Sequence, residues 1–336
     1  MKEVRILATT VQGLEWFVCE ELREICGEVR VFSAREGSGR VIAEIDERCL
    51  AILMEKARSV EKVYLFFGEA ASIEEAGIDL SEKLREFSGF FRFFSVHAER
   101  ITKDIDLTSL EIAAKIGEMV KTRLNLDVSL DFPDIPVYVE YEKGVYRYGV
   151  DLCFHRSLRD RPYRRFIHRS ALNPLIAYAL CRAVRGGKSL WDPFCGSGTI
   201  PLECLEVYPW ARAVCSDVNA EFIAGALQNS LAVGKELDLV VSDIRSAPLR
   251  SGSIDAVVTN PPFGIREKAV GGLRKVYEAL FTEASRVLVQ GGRLAVLTPH
   301  RKLVESLAQK HSFLKVGEWR LNEGGLLSYM LLYSRE

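Results

Sequence analysis

The sequence has no apolar run near the roughly 20 residues a membrane span needs; a stretch such as Leu326 to Leu332 is far too short. The N-terminus turns polar again at Thr9 and offers no signal-peptide core. A soluble, cytoplasmic protein with no membrane partner is expected. No CxxC pair occurs among the eight cysteines (Cys19, Cys26, Cys49, Cys153, Cys181, Cys195, Cys204 and Cys215), and most have apolar neighbours. There a thiol behaves as a small hydrophobe, so neither a structural metal nor a disulfide framework is expected. Excess charge is also missing. A net charge of −1 argues against a protein that coats nucleic acid non-specifically.

A local basic patch is nevertheless present. Arg156, Arg159, Arg161, Arg164, Arg165 and Arg169 fall within one short stretch, against the single acid Asp160. The whole chain, at 336 residues, is long enough for two or three domains that each bury a core.

The pattern along the chain is α/β. Val4–Thr10 reads as a strand, and residues 13–25 place Leu14, Phe17, Val18, Leu22 and Ile25 at helical spacing. Val29–Ser33 and Val41–Ile45 alternate as strands, Glu47–Ala57 returns to helix and Lys62–Gly68 to strand. That order is a ferredoxin-like unit, placed at residues 1–60. Residues 61–154 form a second α/β module, with strands at Phe90–Ala98, Val128–Phe132 and Pro136–Glu142. A helix opens at Thr108, and a hairpin strand runs over Val145–Leu152. Residues 155–170 read as an arginine-rich linker. Residues 171–336 alternate strand and helix, as a doubly wound, mostly parallel, Rossmann-like sheet does.

Within that last region, Ser189–Asp192 ends a strand, and Pro193-Phe194-Cys195-Gly196-Ser197-Gly198 turns into a helix from Thr199. Gly196 and Gly198 let the backbone adopt positive φ and approach a ligand closely. The helix N-terminus offers unpaired N–H donors to an anionic group. Asp217 then follows at a strand end about 25 residues after Asp192, where α/β nucleotide sites keep a carboxylate for ribose hydroxyls. Asp243 ends the next strand and can face an adenine amine. No GxGxxG loop accompanies them, which argues against a nicotinamide dehydrogenase.

The strand Ile254–Thr259 runs into Asn260-Pro261-Pro262-Phe263. Two consecutive prolines stiffen this loop. The Asn260 side-chain oxygen and the Pro261 carbonyl can accept both hydrogens of an exocyclic amine, and Phe263 can stack on its ring.

These two motifs carry a resemblance. Asp-Pro-Phe-Cys-Gly-Ser-Gly-Thr at 192–199 resembles motif I of the amino-methylating S-adenosylmethionine enzymes. Asn-Pro-Pro-Phe resembles the signature of methyltransferases acting on adenine N6, guanine N2 and glutamine side chains. Neither resembles the cysteine-dependent C5-pyrimidine enzymes. Phe93–Arg100, then Thr108–Ile112 with Ile116-Gly117, then Val128–Asp134, resemble a THUMP domain, an RNA-binding module of tRNA- and rRNA-modifying enzymes. Arg161-Pro162-Tyr163-Arg164 and His168 resemble the linker of THUMP-containing guanine-N2 methyltransferases.

The resemblance implies a monomeric tRNA guanine-N2 methyltransferase using S-adenosylmethionine and no metal. Among THUMP enzymes, Asn at the first motif position is similar to the acceptor-stem (G6) type, since relatives acting at the D-arm junction tend to carry Asp. The site residues implied are Asn260, Pro261, Pro262 and Phe263 for the chemistry. Asp192, Phe194, Gly196, Ser197, Gly198, Thr199, Asp217, Val218, Asp243, Ile244 and Asn260 are implied for the cofactor. Arg156, Arg159, Arg161, Tyr163, Arg164, Arg165 and Arg169 are implied for RNA, with Tyr163 or Phe166 available to stack. His168 reads as a packing residue at a helix start. Alternatives are rRNA guanine-N2 or DNA adenine-N6 methylation, or a catalytically inactive RNA-binding protein.

Overall fold

The computed structural model describes residues 2–86, 88–154, 156–264 and 272–336; residue 155, first of the expected linker, lies outside them. By its contacts the chain forms two compact units. The first comprises Met1–Thr9, Val18–Arg35 and Arg40–Leu158; the second comprises Thr10–Phe17, Glu36–Gly39 and Arg159–Glu336.

The first unit begins with β1 (Glu3–Thr9), α1 (Glu15–Cys26, whose first turn belongs to the second unit), β2 (Arg30–Ser33), β3 (Arg40–Asp46), α2 (Cys49–Lys56) and β4 (Lys62–Ala70). This is the expected ferredoxin-like order. The chain continues through α3 (Ile73–Arg85), β5 (Phe93–Arg100), α4 (Ser109–Leu124), β6 (Asp127–Val128), β7 (Ile135–Glu142) and β8 (Val145–Asp151). All eight strands make one sheet in the order β2-β3-β1-β4-β8-β7-β5-β6, because β4 pairs with β1 on one edge and β8 on the other.

Two elements differ from the sequence reading. The helix α3 is an addition: Ser72 caps it by accepting from the Glu75 N–H at 3.1 Å, and Ile73, Ala76, Leu80 and Leu84 form its buried stripe. The strand expected over Val128–Phe132 stops at Val128. Beyond it the Ser129 hydroxyl accepts from the Phe132 N–H at 3.2 Å, a local turn that competes with sheet pairing, and Leu130 and Phe132 are exposed. The helix α4 starts where expected, with a Thr108–Glu111 capping box.

The second unit contains α5 (Pro174–Ala183), β9 (Ser189–Asp192), α6 (Thr199–Val207), β10 (Arg212–Asp217), α7 (Ala220–Leu231), β11 (Asp238–Val241) and β12 (Ile254–Thr259). It ends with α8 (Leu273–Val287), β13 (Leu288–Thr298), α9 (Arg301–Lys310), β14 (Phe313–Glu323) and β15 (Leu326–Arg335). The sheet order is β11-β10-β9-β12-β13-β15-β14, parallel from β11 to β13 and antiparallel at β15 and β14. The doubly wound, mostly parallel Rossmann-like architecture is therefore present, closed at one edge by a long hairpin.

An N-terminal segment completes this unit's core. Val11, Leu14 and Phe17 are buried with residues of α5, β12, β13 and β15, and the rings of Trp16 and Phe17 lie 6.4 and 5.5 Å from Trp319. Gly13 has φ +99°, and a Cβ there would stand 2.0 Å from the Arg320 carbonyl oxygen. The Glu15 carboxylate accepts from the backbone N–H of Gly13 and of Gly39.

Four cysteines depart from their expected role. Cys26–Cys49 bridges α1 to α2, and Cys181–Cys204 bridges α5 to α6, with Cα–Cα separations of 5.5 and 5.1 Å. Each pair is 23 residues apart, a spacing that carries no recognisable motif; the tertiary contact alone brings the thiols together. Among the described residues, no helix is long and apolar enough to cross a membrane.

Candidate functional site

In an open parallel sheet, ligands bind outside the carboxyl ends of the strands. At those ends in the second unit lies a cavity of about 610 Å³, within the range of small-molecule sites. The loop from β9 to α6 forms its floor. Gly196 has φ +52°, and a Cβ there would come 2.5 Å from His168 Nε2. The imidazole of His168 lies against that bare backbone and stacks on Phe222, with centroids 4.3 Å apart. Both rings line the cavity. His168 thus does more than pack at a helix start; α5 begins only at Pro174, capped by Asn173.

Asp192 is 2% exposed, and its Oδ1 accepts from the Phe194 N–H at 3.1 Å and the Thr259 hydroxyl at 2.6 Å. Burial pushes this carboxyl up to about 7, against the two hydrogen bonds that favour its anion. Thr259 is the last residue of β12, so this bond ties the β9 loop to the residue preceding Asn260. At the end of β10, Asp217 accepts from the Gly196 N–H at 3.0 Å and the Asn219 N–H at 2.9 Å. Held in this way, the Asp217 carboxylate borders the cavity, where a ligand's hydroxyls would meet it. Asp243 follows β11, and the Arg245 guanidinium beside it holds its carboxyl below the usual range. Val218, Ile244, Phe194 and Phe222 supply apolar surface between these acids.

Of the eleven residues expected at a cofactor, Asp192, Phe194, Gly196, Thr199, Asp217, Val218, Asp243, Ile244 and Asn260 line the cavity. Ser197 and Gly198 do not. Ser197 is 2% exposed, with its carbonyl held by Asn229 Nδ2 at 2.9 Å, and Gly198 is the N-cap of α6 with φ +81°.

Asn260, Pro261, Pro262 and Phe263 all border the same cavity. The Asn260 Oδ1 is buried and has no hydrogen-bond partner. Such an atom costs about 1–3 kcal/mol where nothing satisfies it, so its position identifies where a donor from a bound ligand belongs. The loop itself is braced from behind. His300 Nε2 lies 2.8 Å from the Phe263 carbonyl oxygen, the His300 N–H donates to Thr298 Oγ1, and that hydroxyl is bonded to the Tyr277 hydroxyl at 2.9 Å. No motif in the sequence announces His300.

The arginine-rich stretch splits. Arg161 is 7% exposed and pairs through Nε with Glu203 Oε1 at 2.9 Å; the Tyr163 hydroxyl donates to the same oxygen at 2.7 Å. Both side chains are spent on a buried carboxylate of α6, which corrects the expectation that Arg161 and Tyr163 face RNA. Phe166 does not border the cavity either. Its ring covers Gly225 of α7, where a Cβ would meet it at 2.1 Å. Arg156, Arg159, Arg165 and Arg169 are exposed, and Arg164 is half-buried, reaching the Leu172 carbonyl. Asn229 holds this stretch to the cofactor-type loop: its Oδ1 accepts from the Arg165 and Phe166 N–H groups, and its Nδ2 donates to the Phe166 and Ser197 carbonyls. An amide one turn beyond Ala226, on the buried side of α7, was the available signal.

Comparison with known proteins agrees with this arrangement. The RMKL-like methyltransferase domain family matches residues 161–329, and the THUMP domain family matches residues 83–147. A tRNA (guanine(6)-N2)-methyltransferase of Archaeoglobus fulgidus is 25% identical, over 98% of this chain and 92% of its own length. A protein of the same description from Thermus thermophilus is 30% identical, over 87% of this chain and 88% of its own. The crystal structure of TrmN from Thermus thermophilus superimposes with a TM-score of 0.81 at 25% identity, covering all of both chains.

Proposed function

Because the chain belongs to the THUMP-containing tRNA guanine-N2 methyltransferase family, we propose that it methylates the exocyclic N2 of guanosine 6 in the tRNA acceptor stem, with S-adenosylmethionine as donor. The observation that carries this reading is the buried, unpartnered Asn260 Oδ1 at the C-terminal end of β12. When bound, the cofactor supplies a methyl group activated by a positive sulfur. The protein's task is then mainly to position the acceptor.

Asn260 Oδ1 and the Pro261 carbonyl accept the two hydrogens of the amine, which leaves its lone pair directed at the methyl carbon. Phe263 stacks on the base, a contact worth about 1–3 kcal/mol. No strong base is required, since the proton departs only as the nitrogen becomes cationic. Asp217 accepts from the ribose hydroxyls, and Asp243, beside Ile244 and Val218, faces the adenine. A base in a stem must leave the helix to reach this cavity. The exposed Arg156, Arg159, Arg165 and Arg169, with Arg164, pair with phosphates along the way. Position 6 is supported by Asn rather than Asp at residue 260 and by the activity of the two relatives above.

The test is to incubate the protein with labelled cofactor and tRNA, an rRNA fragment or duplex DNA, then analyse the nucleosides by mass spectrometry. N2-methylguanosine at tRNA position 6 is expected, and transfer to DNA alone would sink the reading. Asp217→Ala removes a charged acceptor, worth about 1.5–3 kcal/mol. Calorimetry should therefore show S-adenosylmethionine binding about 10–150-fold more weakly. An unchanged Kd removes Asp217 from the cofactor's contacts.

A further inference from the structure

The strand order divides the cavity at Asn260. Asp192 and Asp217 end β9 and β10 and Asp243 follows β11, all to one side of β12. On the other side lie β13, β15 and β14, and they too contribute to the cavity: Leu297 from β13, Leu326 and Ser328 from β15, and Glu323 from β14. Glu323 is paired across the hairpin with Leu326, and Ser328 is two residues further along the same strand, so all three share one face. This face belongs to the part of the cavity that the cofactor's acids do not reach.

Glu323 is an exposed residue tethered there by a hydrogen bond. Its Oε1 accepts from Asn173 Nδ2 at 2.8 Å, while Asn173 Oδ1 caps α5 through the Leu175 N–H. Since α5 packs on β12 and β13, this bond ties the hairpin carboxylate to the helix that covers the strand preceding Asn260. Among the described residues Asn173 is its hydrogen-bond partner. Ser328 is 4% exposed and borders the cavity.

Building on the guanine-N2 reading, we propose that Glu323 is the residue that selects guanine, by accepting the N1–H beside the amine held at Asn260. Guanine is the purine whose amine at C2 stands next to a ring N–H donor. A carboxylate rewards that donor with a charge-assisted hydrogen bond, and it repels a ring nitrogen that presents a lone pair at the same place. Sites built to bind an N–H discriminate strongly against analogues that lack it, because their own polar group is then left unmatched. The Ser328 hydroxyl, donor or acceptor by rotation, serves the neighbouring position 6 of the base and tolerates either an oxo or an amino group. Selection therefore rests on Glu323.

The probe is a tRNA in which the methylated guanosine is replaced by 2,6-diaminopurine riboside. That base keeps the acceptor amine at C2, but its N1 carries a lone pair in place of a hydrogen. The wild-type protein should favour guanine over 2,6-diaminopurine by about 100-fold or more in kcat/KM. Glu323→Gln keeps an oxygen for Asn173 and offers an amide N–H to the altered N1, so it should narrow that ratio by about tenfold or more. A Glu323 that merely supported Asn173 would lower transfer to both bases together, and an unchanged ratio in Glu323→Gln would overturn the proposal. Absence of any guanine-N2 transfer by the wild type would sink the functional reading and this inference with it. Guanine transfer with an unaltered ratio would sink the inference alone.

Discussion

Replacing Asn260 by alanine is expected to lower kcat for methyl transfer by about 10²–10³-fold or more, with tRNA affinity changed by no more than about twofold. The magnitude follows from what the side chain does. One preorganised hydrogen-bonding group at a reacting centre is worth that factor elsewhere, and in the role proposed for Asn260 the same group also sets the in-line approach of the amine. Its Oδ1 has no partner within the described protein, so alanine removes nothing that holds the loop. The loop keeps its two prolines and the His300 bond to the Phe263 carbonyl. Single-turnover kinetics and filter binding with the same tRNA separate the two quantities. A matched loss of both would show that residue 260 binds RNA rather than orienting the amine.

The largest effect on stability is expected at Glu203, a residue with no part in the chemistry. It is fully buried on α6 and receives both Arg161 and Tyr163. Alanine there takes the carboxylate partner away from a guanidinium that is itself 7% exposed. Breaking a buried pair from one side costs about 3–5 kcal/mol, far more than the net worth of the intact pair. For a unit of this size that corresponds to a fall in Tm of roughly 6–20 °C, which calorimetric scanning would register. The double variant Glu203→Leu with Arg161→Met should recover most of the loss, because it removes both charges together. A single variant melting within about 2 °C of the wild type would mean that water reaches Arg161.

The cofactor loop and the acceptor motif were legible because each is a local constraint. Glycine at 196 and 198, acids at successive strand ends and a Pro-Pro turn after a buried strand leave few other uses for those residues. What stayed hidden was the direction in which long side chains point. Arg161 and Arg165 look alike in a charge run, yet one is buried on Glu203 and the other is exposed. The clue lay 42 residues away, in an acid placed between Leu202 and Cys204 on an otherwise apolar helix. The α3 helix is hard to read from sequence because its amphipathic stripe is short and its outer face heavily charged. The disulfides were invisible for a different reason, since a pairing between helices depends on packing that no short window of sequence contains.

The second unit's debt to residues 10–17 bears on how the chain must be made. During synthesis those residues leave the ribosome more than 200 residues before the strand residues they pack with, Ala256 to Leu332. Until Leu321 and Met330 arrive, the cluster that Val11, Leu14 and Phe17 join is incomplete. The methyltransferase core can therefore close only after the β14–β15 hairpin has been made. A gene fragment starting at Arg159 would encode every residue assigned to the cofactor while leaving Trp319 and the bare carbonyl of Arg320 uncovered. Exchange of this half between related enzymes, by recombination or by design, has to carry the N-terminal segment along with it.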